Sequence, residues 1–320
     1  MTPLRLGILG LSEGNGHPYS WSAIINGYDS EAMADCPFPA IPAYLAERSF
    51  PEDQLTGAQV THVWTQTPEL SAHIARAARI PHVVTELSGM VSDIDALLLA
   101  RDDAEHHRQL GGSFLRAGQH VYIDKPPALS VAELDELYAV AARPEQIFSC
   151  SALRFAEELR LTDSERARLG PLRRIVGTTP KSWERYAAHV LDPVITFLQP
   201  GPVQDFELLT EGGAVRLQVS WASGLRGEFE ATGRPDGDIA LLYVGEQVSI
   251  RKVFVDSFSA FRSALRHFIT GVREDRSAID YRHLRELVSL LELGSRTPDA
   301  RARRSAVERP SDSPGSIHSR

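Results

Sequence analysis

The sequence predicts an α/β fold, with a doubly wound parallel sheet first and an α+β domain with an open, mostly antiparallel sheet after it. Three observations predict it. The chain opens on a short apolar run, then glycine-rich sequence and a helix start, which together begin a βαβ unit of the Rossmann type. Strand-like and helical runs then alternate as far as residue 123, which is typical of parallel sheets covered on both faces. From residue 172, strands of alternating polarity separated by turn signals predict an antiparallel sheet.

The elements of the first domain follow in chain order. Residues 4–11 predict the first strand, and His17 begins a helix with Pro18 in its first turn, where proline is favoured. Residues 29–58 carry four prolines and predict an irregular insertion with one short helix near 43–48. Further strands are predicted at 60–65, 82–86, 95–100 and 120–123, and further helices at 68–78 and 104–117.

The sequence changes character after Asp124-Lys125-Pro126, and we place the domain boundary there. We predict a Rossmann dinucleotide-binding domain over residues 1–125 and an α+β substrate and oligomerisation domain over 126–296. Residues 297–320, rich in Arg, Ser and Pro, predict a disordered tail. The second domain is predicted to contain strands at 174–178, 205–209, 215–221, 226–231, 238–244 and 247–255, and helices at 130–142, 259–271 and 281–294.

Composition and charge argue against several classes of protein. The 320 residues, 42% of them hydrophobic, are enough for two cores. A net charge of −8 does not suit a phosphate backbone, so no nucleic-acid partner is expected. Cys36 and Cys150 lack C-x-x-C spacing, which argues against disulfides and structural zinc and favours the cytoplasm. No apolar run reaches the roughly 18 residues of a membrane helix, and the N-terminal run is too short for a signal peptide.

A glycine cluster separates the first strand from the first helix. Glycines let a backbone approach a pyrophosphate closely, and a helix N-terminus favours an anion, so this cluster predicts a site for NAD or NADP. We assign cofactor contacts here to Gly7, Gly10, Ser12, Gly14, Gly16 and His17. The spacing is not the usual G-x-G-x-x-G, so a tight strand–helix turn that binds nothing is the alternative.

The predicted second strand ends in Thr65-Gln66-Thr67. A dinucleotide fold usually places an acid there for the ribose hydroxyls, or an arginine for a 2′-phosphate. Neither charge is present, so the sequence leaves the choice between NAD and NADP open.

Lys125 follows the strand at 120–123 directly. A lysine at the carboxyl end of a parallel strand lies where open α/β sheets bind ligands, and Pro126 and Pro127 fix the backbone beside it. Such a lysine can donate to a substrate hydroxyl or, with a lowered pKa, move a proton. The alternative is a surface lysine in a turn bounded by prolines.

The run Phe114-Leu-Arg-Ala-Gly-Gln-His-Val-Tyr-Ile-Asp-Lys-Pro126 resembles the "AGKHVxxEKP" signature of the Gfo/Idh/MocA oxidoreductase family. The preceding residues 100–107 are similar in position to its "TPxxxH" segment, with Arg101-Asp102 in place of Thr-Pro. The resemblance covers roughly residues 4–294. It implies NAD(P)-dependent chemistry at a sugar or cyclitol carbon, with Lys125 contacting the reacting hydroxyl. It also implies cofactor contacts at Arg101, Asp102, His106 and Lys125.

A third candidate site lies at residues 183–193. If this segment is helical, Tyr186, His189 and Asp192 share one face. The family carries Asp-x-x-x-His-x-x-Asp here, and Arg185 stands where its first Asp would be. Histidine carries protons near neutral pH, but a core histidine is the alternative, and Asp192 could instead cap a helix that has Pro193 first. The resemblance implies that Lys125, Tyr186 and His189 are catalytic, and that Lys125, Arg185, Tyr186, His189 and Asp192 contact the substrate.

These observations predict an oxidoreductase that moves a hydride between NAD(P) and a hydroxyl or keto carbon of a sugar-like small molecule, without a metal. We hypothesise that the carbinol lies between Lys125 and His189, and that His189, with Lys125 or Tyr186, moves the proton. A lyase, epimerase or hydrolase on the same scaffold, or a non-catalytic ligand-binding relative, are the alternatives. By analogy with the family, a homodimer or homotetramer is expected.

Overall fold

A computed structural model describes residues 2–296 and contains two sheets of six strands each. The first, sheet A, has the strand order β3-β2-β1-β4-β5-β6, and every neighbouring pair is parallel. The order reverses direction between β1 and β4, which is the topological switch point where doubly wound sheets bind ligands. The strands are β1 Leu4–Leu9, β2 Ala58–Trp64, β3 His82–Val83, β4 Ala96–Leu99, β5 His120–Ile123 and β6 Ile147–Phe148.

Helices cover both faces of sheet A, as predicted for a parallel sheet. They are α1 His17–Asn26, α2 Ser30–Ala34, α3 Ala40–Ala46, α4 Pro68–Ala77, α5 Leu87–Met90, α6 His107–Arg116 and α7 Val131–Ala139. The insertion at 29–58 contains two helices, whereas the sequence predicted one. Asp29 caps α2 by accepting from the Ala32 N–H at 2.9 Å, a start signal with too short an apolar repeat behind it to be recognised. The strand predicted at 82–86 is only two residues long.

The second sheet, sheet B, has the order β12-β11-β7-β10-β9-β8. All its pairs are antiparallel except β7 with β10, so the predicted fold class is confirmed. Its strands are β7 Leu172–Thr179, β8 Val203–Glu211, β9 Ala214–Trp221, β10 Arg226–Ala231, β11 Ala240–Gly245 and β12 Ser249–Val253. The remaining helices are α8 Asp163–Leu169, α9 Trp183–Tyr186, α10 Ala188–Leu198, α11 Ser257–Glu274 and α12 Tyr281–Gly294.

Two hydrophobic cores lie against the two sheets, and the C-terminal helices join them. Helix α11 packs Leu265 and Phe268 into the core of sheet A. Helix α12 contributes Leu284 to that core and Leu287 to the core of sheet B. Strand β6, at residues 147–148, also belongs to sheet A. The first sheet therefore extends past the domain boundary predicted at residue 125. Lys125 consequently lies where the two cores meet.

None of the helices in residues 2–296 is both long and apolar enough to cross a bilayer. The tail predicted at 297–320 lies outside the described residues.

Candidate active site

Lys125 lies at the carboxyl edge of sheet A, between the two domains. Its side chain is 5% exposed, and its Nζ lies 3.7 Å from Asp102 Oδ2 and donates to the Arg185 carbonyl oxygen at 3.2 Å. Asp102 follows β4, and Arg185 belongs to α9. The ammonium group is therefore held between a carboxylate of one domain and a backbone carbonyl of the other. The structure brings together the predicted residues Lys125, Asp102 and Arg185.

His107 fixes the backbone around this lysine. Its ring is buried, with Nε2 2.8 Å from the Arg101 carbonyl oxygen and Nδ1 3.1 Å from the Pro127 carbonyl oxygen. It thus ties the end of β4 to the turn after Lys125. Its neighbour His106, the predicted cofactor contact, is half exposed and pairs with Asp103 at 2.9 Å. Two adjacent histidines at a helix start look alike in sequence, and only burial distinguishes them.

Asp124 is a fully buried carboxylate at the end of β5, 1% exposed. Its Oδ2 lies 2.6 Å from His17 Nδ1 and accepts from Asn15 Nδ2 at 2.7 Å, while its Oδ1 accepts from the Lys125 N–H at 2.8 Å. Burial alone would raise the pKa of this carboxyl group. The charges of His17 and Lys125 and the hydrogen bonds from His17 and Asn15 outweigh burial and hold its pKa well below the usual range.

The glycines of the predicted cofactor loop serve the packing of the chain itself, with one exception. A Cβ at Gly7 would lie 2.6 Å from Met90 Sδ, and one at Gly10 would lie 2.3 Å from Pro18 Cγ. Gly16 similarly faces the side chains of Ile41 and Phe38. Only Gly14 has open space around it, and its φ of +76° favours glycine. Packing therefore accounts for three of the four glycines, and Gly14 alone leaves room for a ligand.

The N-terminus of α1 offers few donors to a pyrophosphate. The His17 N–H donates to Asn15 Oδ1 at 2.8 Å, Pro18 has no N–H, and the Tyr19 N–H bonds to the Gly16 carbonyl at 3.1 Å. The exposed N–H groups of Glu13 and Gly14 have no hydrogen-bond partner within residues 2–296. An anionic group of a cofactor would thus fit the tip of the loop rather than the helix end.

Side chains from three other elements hold this loop in place. Ser12 Oγ donates to Asp102 Oδ1 at 2.6 Å. Gln66, after β2, accepts from the Leu11 N–H at 3.0 Å and donates to its carbonyl at 2.6 Å. Arg185 Nη1 donates to the Glu13 carbonyl at 3.0 Å. The end of β2 thus supports the loop and presents no charge to a ribose.

Tyr186 and His189 lie next to each other on the second domain. The Tyr186 hydroxyl accepts from Lys181 Nζ at 2.6 Å, and its ring meets that of His189 edge-on at 5.1 Å. Lys125 Nζ lies 5.6 Å from the centre of the Tyr186 ring. The two predicted residues and Lys125 are therefore neighbours, as one helical face required, although a break at Ala187 divides that helix into α9 and α10.

His189 has a neutral partner and a cationic neighbour. Its Nδ1 lies 2.9 Å from Ser151 Oγ. Burial lowers the pKa of the imidazole well below its ordinary value, and the charges of Lys125 and His17 lower it further, against the opposing effect of Asp124. Burial and the neighbouring cations therefore both favour the neutral form of His189.

Asp192 lies behind His189 and does not reach it. Its carboxylate is fully buried and accepts from the Ser151 N–H at 2.7 Å, from Arg154 Nη1 at 3.2 Å and from His283 Nε2 at 2.6 Å. These partners leave no side open to a substrate, contrary to the predicted contact. Nor does Asp192 cap a helix, since Pro193 lies inside α10. Asp192 acts on His189 only through Ser151, which spacing alone could not reveal.

A cavity of about 410 Å³ opens beside these groups. Its walls include Glu13, Gly14, Asp102, Lys181, Arg185 and Tyr186. The loop tip, the end of β4 and helix α9 therefore border one space. Its hydrogen-bonding side chains, set among apolar surface, suit a small ligand with several polar groups.

The family comparison matches the centre of the first domain. Residues 42–151 match the family model Gfo/Idh/MocA, described as "Oxidoreductase family, NAD-binding Rossmann fold". Over this segment the chain is similar to the Gfo/Idh/MocA oxidoreductases. The match confirms the resemblance drawn from the Lys125 signature and gives NAD-type dinucleotides as the cofactor class of the family. It begins after β1, the glycine loop and α1, the part in which this chain departs from the usual spacing.

Solved structures show the same fold over nearly the whole chain. A scyllo-inositol dehydrogenase from Lactobacillus casei is 13% identical, with a TM-score of 0.66 over 92% of this chain and 95% of its own. A UDP-N-acetylglucosamine 3-dehydrogenase from Acidithiobacillus ferrooxidans is 13% identical, with 0.65 over 92% and 97%. A putative oxidoreductase from Magnetospirillum magnetotacticum is 15% identical, with 0.65 over 92% and 100%. No curated protein matches the chain.

Proposed function

We propose that this protein is an NAD(P)-dependent dehydrogenase or reductase acting at a CH–OH carbon of a sugar, sugar derivative or cyclitol. The observation that carries the proposal is the position of Lys125. Its ammonium group lies at the carboxyl edge of sheet A, held by Asp102 and Arg185, which both line the cavity between the domains. The family of the matched segment is one of oxidoreductases.

The cavity favours a polyhydroxylated substrate. Lys181, Arg185 and the Tyr186 hydroxyl supply donors and acceptors around it, and these groups recognise hydroxyls better than apolar surface. Structures of the same fold include dehydrogenases of inositol and of a nucleotide sugar, which supports the same substrate class here. We expect Arg185, Tyr186 and His189 to orient the substrate.

The dinucleotide fits this chain at the loop tip. The free N–H groups of Glu13 and Gly14 suit a pyrophosphate, and Gly14 leaves space for its approach. A bound dinucleotide supplies the hydride acceptor or donor. Because Gln66 at the end of β2 is uncharged and engaged with Leu11, neither NAD nor NADP is favoured by that position.

Lys125 would donate a hydrogen bond to the substrate oxygen at the reacting carbon. Its positive charge stabilises the partial negative charge that builds on that oxygen as the O–H proton leaves. Tyr186 and His189 would hold the neighbouring hydroxyls, because their side chains lie next to Lys125 across the domain junction.

Binding and turnover test the proposal in two steps. We would titrate NADH and NADPH by fluorescence, then assay scyllo-inositol, myo-inositol and UDP-N-acetylglucosamine with NAD⁺ and NADP⁺, following reduced nicotinamide by absorbance. Saturable binding together with turnover of a polyol supports the proposal. Absence of binding by both dinucleotides would overturn it.

A non-redox enzyme on the same scaffold is the second candidate, and one observation favours it. Asp102 and Asp124, at the ends of β4 and β5, are bonded to Ser12, Asn15 and His17 of the chain's own loop. These bonds occupy side chains of the loop that was predicted to hold the dinucleotide. If no dinucleotide binds, product analysis with the same polyols would test for a lyase, epimerase or hydrolase reaction.

We also propose a homo-oligomer in the cytoplasm. The open face of sheet B carries the ion pairs Arg174–Glu228 and Arg216–Glu230, a polar surface of the kind that partner subunits can share. Cys36 and Cys150 are free and buried, in agreement with a reducing compartment. Light scattering on the purified protein would test the assembly, and a monomer would contradict it.

A further inference from the structure

His17 has the geometry of a held base. Its Nδ1 lies 2.6 Å from Asp124 Oδ2, its ring stacks on Trp21 at 4.9 Å with a 13° tilt, and the edge of Phe261 meets it at 4.9 Å. The side chain is nonetheless 18% exposed. The ring is therefore held by three partners and remains partly exposed.

The partner of Nδ1 determines the tautomer. An ionised carboxylate can only accept hydrogen bonds, so the hydrogen between His17 and Asp124 belongs to Nδ1. The other nitrogen, Nε2, then carries a lone pair in the neutral ring. No side chain or backbone group of residues 2–296 donates to it.

The environment of His189 is different in both respects. Its Nδ1 partner is the hydroxyl of Ser151, which brings no negative charge. Lys125 lies close enough that its charge opposes a second positive charge on the His189 ring. A proton accepted by His17 is stabilised by Asp124, whereas a proton accepted by His189 would have no anionic partner.

We propose that His17, oriented and charge-balanced by Asp124, is the proton acceptor of this site, and that His189 is a neutral residue that positions the substrate. The inference rests on the proposed dehydrogenase function. In the oxidation direction, the carbinol C–H bond breaks and its electron pair leaves as hydride for the oxidised nicotinamide. The O–H bond breaks as well, its electron pair forms the C=O bond, and its proton goes to His17 Nε2.

The titratable groups around His17 are Asp124 and Lys125 after β5 and His189 on α10, while α11 presents the uncharged ring of Phe261. Only neutral His17 can accept a proton. In a plot of kcat/KM for alcohol oxidation against pH, the rising limb should therefore follow the deprotonation of His17. Replacing the Asp124 carboxylate by an amide removes the anion that stabilises the imidazolium ion. This limb should therefore move to lower pH in Asp124→Asn, with a lower plateau.

Paired glutamine substitutions separate the two histidines. His17→Gln should lower kcat by about 10²–10⁴-fold and abolish the pH limb while KM changes little, as expected for a lost general base. His189→Gln should mainly raise KM and keep the limb. If His189→Gln abolishes the limb and His17→Gln keeps it, the assignment is overturned.

Nitrogen NMR of protein labelled at histidine supplies a readout independent of turnover. The His17 signals, assigned by their loss in His17→Gln, should show the Nδ1–H tautomer, and Asp124→Asn should make the protonated ring less stable because the anion beside it is removed. An Nε2–H tautomer, or a protonated ring equally stable in both proteins, would overturn the proposal even with no active substrate at hand. Failure of the dehydrogenase function is recognised separately, as absent NADH and NADPH binding by a protein in which both NMR results hold.

Discussion

Two fully buried carboxylates lie on opposite sides of the domain junction, and each supports one histidine. Asp124, at the end of β5, contacts His17 directly, and its other donors are Asn15 and the N–H of Lys125. Asp192, inside α10, reaches His189 only through Ser151. Both are equally hidden from solvent, but their partners differ.

The partners of the two carboxylates indicate different tasks. Asp192 also binds Arg154 and His283, so a permanent cation neutralises it within the second domain. Within residues 2–296, Asp124 has no guanidinium partner, and it pairs with a histidine that is partly exposed. A buried carboxylate paired with arginine stabilises the fold, whereas one paired with a partly exposed histidine changes how readily that histidine binds a proton. The following changes test that distinction.

The largest effect is expected at Lys125, which lies between the Asp124 and Asp192 sides of the junction. Lys125→Met should lower kcat by about 10²–10⁴-fold, because the substrate oxygen loses its charged donor. Dinucleotide affinity should change little, since the loop tip is intact. Initial rates and NADH fluorescence titration measure the two quantities.

Lys252→Met is the matched control for this substitution. Lys252 pairs with Glu165 on the second domain, at 3.0 Å, and has no contact with the cavity. Its turnover should stay near that of the unaltered protein. Unchanged turnover of Lys125→Met would remove the basis of the proposed function.

Asp192→Ala tests the structural side of the comparison. Removing this carboxylate leaves Arg154 and His283 without their anion in a buried place, which typically costs about 3–5 kcal/mol of the free energy of unfolding. Urea denaturation followed by circular dichroism measures the change. Asp238→Ala, which removes an exposed partner of Arg251, should cost no more than about 1 kcal/mol. Equal losses in both variants would contradict a structural role for Asp192.

Acid should destabilise the protein through both carboxylates. Burial on its own would raise the pKa of Asp192, but the charges of Arg154 and His283 and the hydrogen bonds from His283 and Ser151 lower it below its ordinary value. The pKa of Asp124 is lowered as well. Because the folded pKa lies below the unfolded value of about 3.9, the stabilisation is complete above that pH and is lost as pH falls through the folded pKa.

Asp192→Asn and Asp124→Asn should each flatten the fall of unfolding free energy below about pH 4. Denaturation curves at a series of acidic pH values measure this slope. A slope as steep as that of the unaltered protein in either variant would show that the carboxylate in question does not gain protons on unfolding.

The sequence predicted the junction well and the loop poorly, for a physical reason. Strand β5 and Lys125 follow from local apolar patterning, from the prolines after them and from a contiguous family signature. The contacts of Asn15 and His17 with Asp124 join residues more than 100 positions apart. The local sequence pattern does not reveal contacts between residues so far apart. The pattern therefore predicted a cofactor contact for His17 and gave no role to Asn15.

The same limit applied to residues 183–193. Helical spacing correctly predicted that Tyr186 and His189 lie near each other, because that relation is local. It did not predict that Asp192 is enclosed by Arg154 and His283, which come from other parts of the chain. The partners of the two acids, which helical spacing does not reveal, distinguish their roles.

The smallest expected effect compares two glycines of the loop that carries His17. Gly14→Ala places a Cβ in open space at a φ of +76°, so it should cost only about 1–2 kcal/mol of strain. Gly16→Ala places a Cβ 2.5 Å from Ile41 Cδ1 and 2.7 Å from the Phe38 ring, which must shift, at about 1–3 kcal/mol. Thermal denaturation of both variants measures these costs.

The two variants should also differ at His17. Gly16 lies between Asn15 and His17, so the displacement in Gly16→Ala should disturb their bonds to Asp124 and change the His17 NMR titration. Gly14→Ala, at the loop tip, should leave that titration unchanged and should instead weaken dinucleotide binding. If Gly16→Ala leaves the His17 titration unaltered, the loop backbone does not control the contact between His17 and Asp124. The Asp192 side of the junction should not respond to either substitution, because none of its hydrogen bonds involves the loop.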